Sequence, residues 1–203
     1  MIRVIASHIG KQYHPKWIFK DVGLMIDQDT PLAITGKNGS GKSTLLQIIA
    51  GFVTPTTGQI NWYTGKKKVP PEKLYLNMSM ASPYIDLIEE FTLQEIIRFQ
   101  KALKPTFPNL TEQQILELSG LTDNASKPIK QFSSGMKQRV KLLLAMTSDT
   151  NLILLDEPCS NLDTDGISWY QQMLDQFSSH RTVVVASNNK SEEYPNFTHF
   201  IEL

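Results

Sequence analysis

The stretch Gly36-Lys37-Asn38-Gly39-Ser40-Gly41-Lys42-Ser43 constrains this chain more than any other feature. It has the spacing Gly, four residues, Gly-Lys-Ser. It lies between a short apolar run, Leu32–Thr35, and a helical pattern in which Leu45, Leu46, Ile48 and Ile49 recur until Gly51 closes it. A strand, a Gly-rich turn and a helix in that order are the context a phosphate-binding loop requires. Glycines let backbone N–H groups turn inward around phosphate oxygens, and the helix start adds partial positive charge. Lys42 then reaches the β and γ phosphates of a nucleotide, and the Ser43 hydroxyl ligates Mg2+. The candidate cofactor-binding set is therefore Gly36, Asn38, Gly39, Ser40, Gly41, Lys42, Ser43 and Thr44.

The rest of the chain fits an α/β fold around that loop. Strand-like runs open it at Ile2–Ala6 and Trp17–Ile26, and a further strand is expected around Gln59–Tyr63. Thr64–Pro71, which carries Lys66, Lys67 and Lys68, reads as a solvated loop. From about residue 84 to 147 the pattern turns helical. Thr92 with Glu95 and Thr111 with Gln114 have capping-box spacing, ahead of Ile96–Ala102 and Ile115–Leu118. Apolar strands return at Leu152–Leu155 and Thr182–Ser187, with a helix over Ile167–Phe177 between them and a last strand at Thr198–Leu203. This order predicts a P-loop NTPase: a mainly parallel sheet, an N-terminal antiparallel strand region and an inserted helical subdomain, with residues 1–203 as a single domain.

Leu152–Leu155 runs into Asp156-Glu157-Pro158. An acid at a strand end can hold Mg2+ and its hydration shell, so Asp156 joins Ser43 as a metal ligand, and Glu157 can polarise an attacking water.

A third motif, Phe132-Ser133-Ser134-Gly135-Met136-Lys137-Gln138-Arg139, lies 23 residues ahead of Asp156, counted from Ser133. With it the chain resembles an ATP-binding-cassette ATPase domain, whose signature usually reads Leu-Ser-Gly-Gly-Gln. The resemblance covers essentially the whole chain and implies ATP and Mg2+ as cofactors. It also implies that Ser133, Ser134 and Gly135 close over the γ-phosphate held by an opposite protomer. Asp163, in Ser160-Asn161-Leu162-Asp163, matches the family's D-loop. Tyr13 stands where the family places an aromatic that stacks on adenine, with Trp17 as the competing candidate. Two departures stand out. The family's Gln after the strand that follows Leu74 is missing from Met80-Ala81-Ser82-Pro83-Tyr84, and its His after Thr182–Ser187 is replaced by Asn188. Asn188 is accordingly expected to donate an amide N–H to the γ-phosphate. His199 belongs to the final strand, and His8, His14 and His180 have no metal-ligand spacing.

The family implies a motor subunit, as a homodimer or heterodimer of cassettes, that drives a separate transmembrane permease subunit. The rivals are a soluble ATPase of the same fold acting as a switch, a catalytically weak heterodimer partner, or a nucleotide kinase or GTPase. Composition narrows the partners. Twenty Lys+Arg against 20 Asp+Glu give zero net charge, so no nucleic acid is expected. The single Cys159 cannot form an intrachain disulfide and reads as a packed thiol, and the N-terminus lacks a signal-peptide pattern. No apolar run approaches the ~18 residues of a membrane-spanning helix. A cytoplasmic location, peripheral on the inner face of the membrane through the permease, is the expectation.

Overall fold

Strands buried on both faces read as continuous apolar runs, and such runs form parallel sheets covered by helices. The computed structural model of the chain, which describes residues 2–27, 30–107 and 110–203, has such a sheet. It is built from β3 (Leu32–Thr35), β6 (Met78–Ala81), β7 (Leu152–Asp156), β8 (Thr182–Ser187) and β9 (His199–Glu202), in the order β6-β7-β8-β3-β9, with every pairing parallel. All residues of β7 and β8 are buried. A second, antiparallel sheet has the order β2-β1-β4-β5, from β1 (Ile2–Tyr13), β2 (Lys16–Ile26), β4 (Thr57–Thr64) and β5 (Lys67–Val69).

Alternation along the central strands divides the core in two. Leu152, Leu154, Val184 and Ala186 meet α1 (Lys42–Ile49) and the antiparallel sheet, with Ile2, Val4, Ile26 and Trp62 in the same cluster. Their neighbours Ile153, Leu155, Val183 and Val185 face the opposite way. They pack with the apolar faces of α2 (Leu93–Leu103), α3 (Glu112–Ser119), α4 (Ser134–Thr147) and α5 (Thr164–Ser178). Both expected capping boxes form: Thr92 and Thr111 accept from the N–H groups of Glu95 and Gln114, and the Glu95 and Gln114 side chains accept from the cap N–H groups in return.

The helix ends are tied down as well. Arg181, 7% exposed, donates to the carbonyls of Met146 and Ser148 at the end of α4, of Phe177 in the last turn of α5, and of Thr150 before β7, at 2.6–3.2 Å. Burial pushes this guanidinium down to about 10.

The lysine segment corrects the sequence reading. Thr64–Pro71 is not simply a loop, because Lys67–Val69 pairs with Trp62–Thr64 across a tight turn at Gly65, whose φ is 59°. Val69 is buried while Lys67 and Lys68 point out, so the charge lies on an edge strand. β1 also runs well past Ala6, to Tyr13, through register shifts between Ala6 and Gln12. Two strands, β2 and β3, therefore separate Tyr13 from the phosphate loop. Among the described residues no helix is long and apolar enough to cross a membrane.

Candidate active site

The loop after β3 is shaped by its glycines. Gly36 has φ 143°, and a Cβ there would collide with the Leu203 carbonyl; Gly41 has φ 108° and would place a Cβ 2.5 Å from the Ile18 side chain. Gly41 is also the N-cap of α1 and supplies no capping side chain, and the first turn carries no acid, so the first N–H groups of this helix are open to an anion. Lys42 is 4% exposed, and its ammonium donates to the carbonyls of Gly36 and Lys37, each at 2.9 Å. Two of its three donors are thereby fixed against the loop, and the residue lines a cleft beside it. The Ser40 hydroxyl is buried in the same loop with no hydrogen-bond partner among the described residues, a further donor suited to an oxyanion.

Asp156 ends β7, 1% exposed. Ser43 Oγ donates to its Oδ1 at 3.0 Å and Ser82 Oγ to its Oδ2 at 3.1 Å. Burial raises the Asp156 pKa, while the two hydroxyls favour the ionised form and pull it back. Ser43 and Asp156 are hard oxygen donors, and Mg2+ characteristically takes one or two carboxylates together with substrate phosphates, so this pair fits it. Among the described residues no group of three or more His, Cys, Asp and Glu could hold a metal without such help.

Glu157 follows with φ 45°, a left-handed conformation that turns its side chain out of the strand, while its N–H still bonds Ala186 O at 2.9 Å. Its carboxylate is gripped on both oxygens: Asn188 Nδ2 donates to Oε1 at 2.6 Å and Ser160 Oγ to Oε2 at 3.2 Å. The Asn188 amide, expected at a γ-phosphate, thus spends an N–H on Glu157. A cleft of about 480 Å3 unites Glu157 with Ile18, Asn38, Gly39, Gly41, Lys42, Ser43, Thr44 and Tyr84.

The remaining candidates lie elsewhere. Ser133 caps α4, its hydroxyl accepting from Met136 N at 3.2 Å, and both it and Ser134 are exposed. A Cβ on Gly135 would lie 2.7 Å from the Asn161 carbonyl, so α4 and the turn before α5 press together at a position only glycine fits. Asp163 caps α5, accepting from Gly166 N at 2.8 Å. None of these four lines the Lys42 cleft. Nor does Tyr13, which ends β1 half exposed with the Lys11 ammonium 5.0 Å from its ring centre. Trp17 has Lys20 over its ring, and the residue next to the phosphate loop is Ile18. His199 lies in β9. Cys159 is packed, its thiol pushed up to about 12 by burial.

Sequence reasoning missed the supporting residues. Tyr84, 74% exposed at the cleft, ends the stretch that lacks the family's Gln, and Ser160 opens the D-loop phrase, but neither pattern assigns the side chain a place at this site. Glu193 was also passed over: fully buried, it accepts from Cys159 N at 3.2 Å and braces the turn that follows Glu157.

A family model described as ABC transporter matches residues 19–160. The lantibiotic transport ATP-binding protein SrtF of Streptococcus pyogenes is 29% identical over 200 residues, covering 96% of this chain and 83% of that protein. The cytochrome c biogenesis ATP-binding export protein CcmA of Xylella fastidiosa strain Temecula1 is 34% identical over 149 residues, 73% of this chain and 69% of that protein. Among solved structures, a dimeric post-hydrolysis state of an ATP-binding cassette bound to ADP and Pi matches with a TM-score of 0.82 at 24% identity, over 98% of this chain and 94% of that one. At that identity the likeness is one of fold.

Proposed function

The chain belongs to the ABC transporter family as an ATPase cassette, and on that premise we propose that it is the ATP-binding, ATP-hydrolysing motor subunit of a membrane transporter. Two cassettes close head to tail around two MgATP and reopen after hydrolysis, driving a separate transmembrane permease subunit that holds them at the cytoplasmic face. Residues 1–203 work as one cassette, with the segment from about 84 to 147 as its helical part.

The observation that carries this reading is a division of the chemistry within one chain. Lys42, Ser43 and Glu157 share a cleft, and Asp156 is bonded to Ser43. The helix start at Ser133, also suited to an anion, is exposed and does not line that cleft. Each copy then supplies a phosphate loop to one site and a signature helix to the other.

In the mechanism that follows, the loop N–H groups and Lys42 hold the β and γ phosphates of ATP. Ser43 and Asp156 would hold Mg2+, which supplies charge neutralisation at the phosphate oxygens. Glu157, oriented by Asn188 and Ser160, aligns a water with the γ-phosphorus and takes its proton. The water oxygen bonds to phosphorus as the bond to the β,γ-bridging oxygen breaks, releasing ADP and phosphate.

Glu157→Gln tests the assignment, since the amide keeps the shape but cannot take the proton. It should retain ATP binding, stall turnover and accumulate as an ATP-bound dimer in size-exclusion chromatography. Hydrolysis at the wild-type rate would sink the role given to Glu157. For the permease, the tagged chain should bring a polytopic membrane protein out of mild detergent extracts.

A further inference from the structure

A path of hydrogen bonds leads from the middle of α4 to Asp156 without passing through the phosphate loop. Lys141 donates from Nζ to the carbonyls of Ser82 (3.3 Å) and Pro83 (3.2 Å), just beyond β6. Ser82 is 1% exposed. Its hydroxyl donates to Asp156 Oδ2 at 3.1 Å and accepts from Tyr84 N at 3.3 Å.

Each bond in this path has a directional reason. A serine hydroxyl has one donor, and with the Tyr84 N–H on its acceptor side that donor is committed to Asp156. Asp156 then has a donor on each oxygen, Ser43 on Oδ1 and Ser82 on Oδ2, which sets the plane of the carboxylate. The Ser82 hydroxyl can do this only while the turn at Ser82-Pro83 keeps its place; Pro83 supplies no N–H to anchor it, and one backbone bond, from Ile85 N to the Ser82 carbonyl at 3.2 Å, closes it. The ammonium of Lys141 holds that turn by two consecutive carbonyls. Ordering so long a side chain costs rotamer entropy, a cost a purely solvated lysine would not bear.

We propose that Lys141 is a positioning residue for the metal site. It fixes the Ser82-Pro83 turn, Ser82 fixes Asp156, and the helix that begins at Ser133 is thereby linked to the carboxylate that holds Mg2+. The proposal rests on the reading of Asp156 as a metal ligand.

The test uses the full chain loaded with ADP and Mn2+ as the probe, with free Mn2+ counted by electron paramagnetic resonance. Partners one bond removed from a metal ligand are worth about 10- to 100-fold in metal affinity. Ser82→Ala should therefore weaken Mn2+ binding about tenfold, and Lys141→Ala, one step further out, about three- to tenfold. Lys141→Arg should restore binding to within about twofold of wild type, and Lys141→Ala in the Ser82→Ala background should add nothing, because both act on one path. Metal-free ADP binding should be unchanged throughout. The proposal is overturned if Lys141→Ala binds Mn2+ as wild type does, if the two effects add, or if metal-free ADP binding falls in step with Mn2+ binding. A wild-type chain that binds ADP but takes up no Mn2+ overturns the metal role of Asp156 itself, whereas normal Mn2+ uptake in every variant overturns the roles of Ser82 and Lys141 and leaves that of Asp156 standing.

Discussion

Replacing Asn188 by Ala removes the shorter of the two bonds that hold Glu157. That bond spans 2.6 Å from Nδ2 to Oε1, and the bond that remains, from Ser160, is 3.2 Å. A hydrogen bond to a charged group is worth about 1.5–3 kcal/mol. Were all of it expressed in the transition state, at about 1.36 kcal/mol per decade, kcat would fall by about 10- to 150-fold. Ser160 still restrains the carboxylate, which places the expectation near the lower end, about tenfold. The phosphate loop is untouched, so ATP affinity should stay within about threefold, half a decade on the same scale. Asn188→Asp adds contrast. It sets a second carboxyl at hydrogen-bond distance from Glu157 and replaces the donor there by an acceptor, so the bond is not restored. Turnover should therefore fall at least as far as in Asn188→Ala. Steady-state ATPase at saturating MgATP, with nucleotide affinity measured separately by calorimetry, reads both variants. An Asn188→Ala protein that turns over within twofold of wild type would show that Asn188 does not orient Glu157.

Three further outcomes follow from the same geometry. Lys42→Ala removes a buried ammonium and its contact to phosphate, and calorimetry should show ATP affinity down by about ten- to a hundredfold, the scale of a charged hydrogen bond. Gly135→Ala puts a Cβ against the Asn161 carbonyl, so ATP should still bind while the ATP-dependent dimer is lost from size-exclusion profiles; a normal dimer would count against that contact. Asp156→Asn should raise the melting temperature while abolishing Mg2+-dependent turnover. The folded-state pKa of Asp156 is raised above 3.8 by burial, so its contribution is favourable below the unfolded pKa and is lost as pH rises through the folded one. At neutral pH the ionised group is a burden that the amide relieves, and an unchanged melting temperature would contradict this.

Local chemistry made half of this site legible. Lys42, Ser43, Asp156 and Glu157 stand where a short pattern and a chemical requirement coincide, and the two capping boxes are legible because their reciprocal bonds span three residues. The partners of those residues were hidden by distance along the chain. Asn188 meets Glu157 across 31 residues and Ser82 meets Asp156 across 74, contacts decided by the strand order β6-β7-β8 rather than by any periodicity. The absent family Gln and His marked both places, but not that Ser82 would bond Asp156 or that Asn188 would face Glu157. β5 escaped notice because two of its three residues are exposed lysines, which leave no alternation to read.

Arg181 gathers the closing carbonyls of α4 and α5 at a single buried cation, and this pins one end of α4, while the other rests against the Asn161 turn through Gly135. Its 14 residues make a rod of about 21 Å at 1.5 Å per residue, with Ser133 at the far tip and Lys141 near its midpoint. A pivot of about 5° at the guanidinium would sweep Ser133 through about 2 Å, roughly the difference between a hydrogen bond and none, while Lys141 would travel about half as far. A few degrees at a pinned helix end are therefore enough to make or release the Ser133 contact proposed for the closed pair of cassettes, and the carboxylate tethered at mid-rod would feel the same stroke at reduced amplitude.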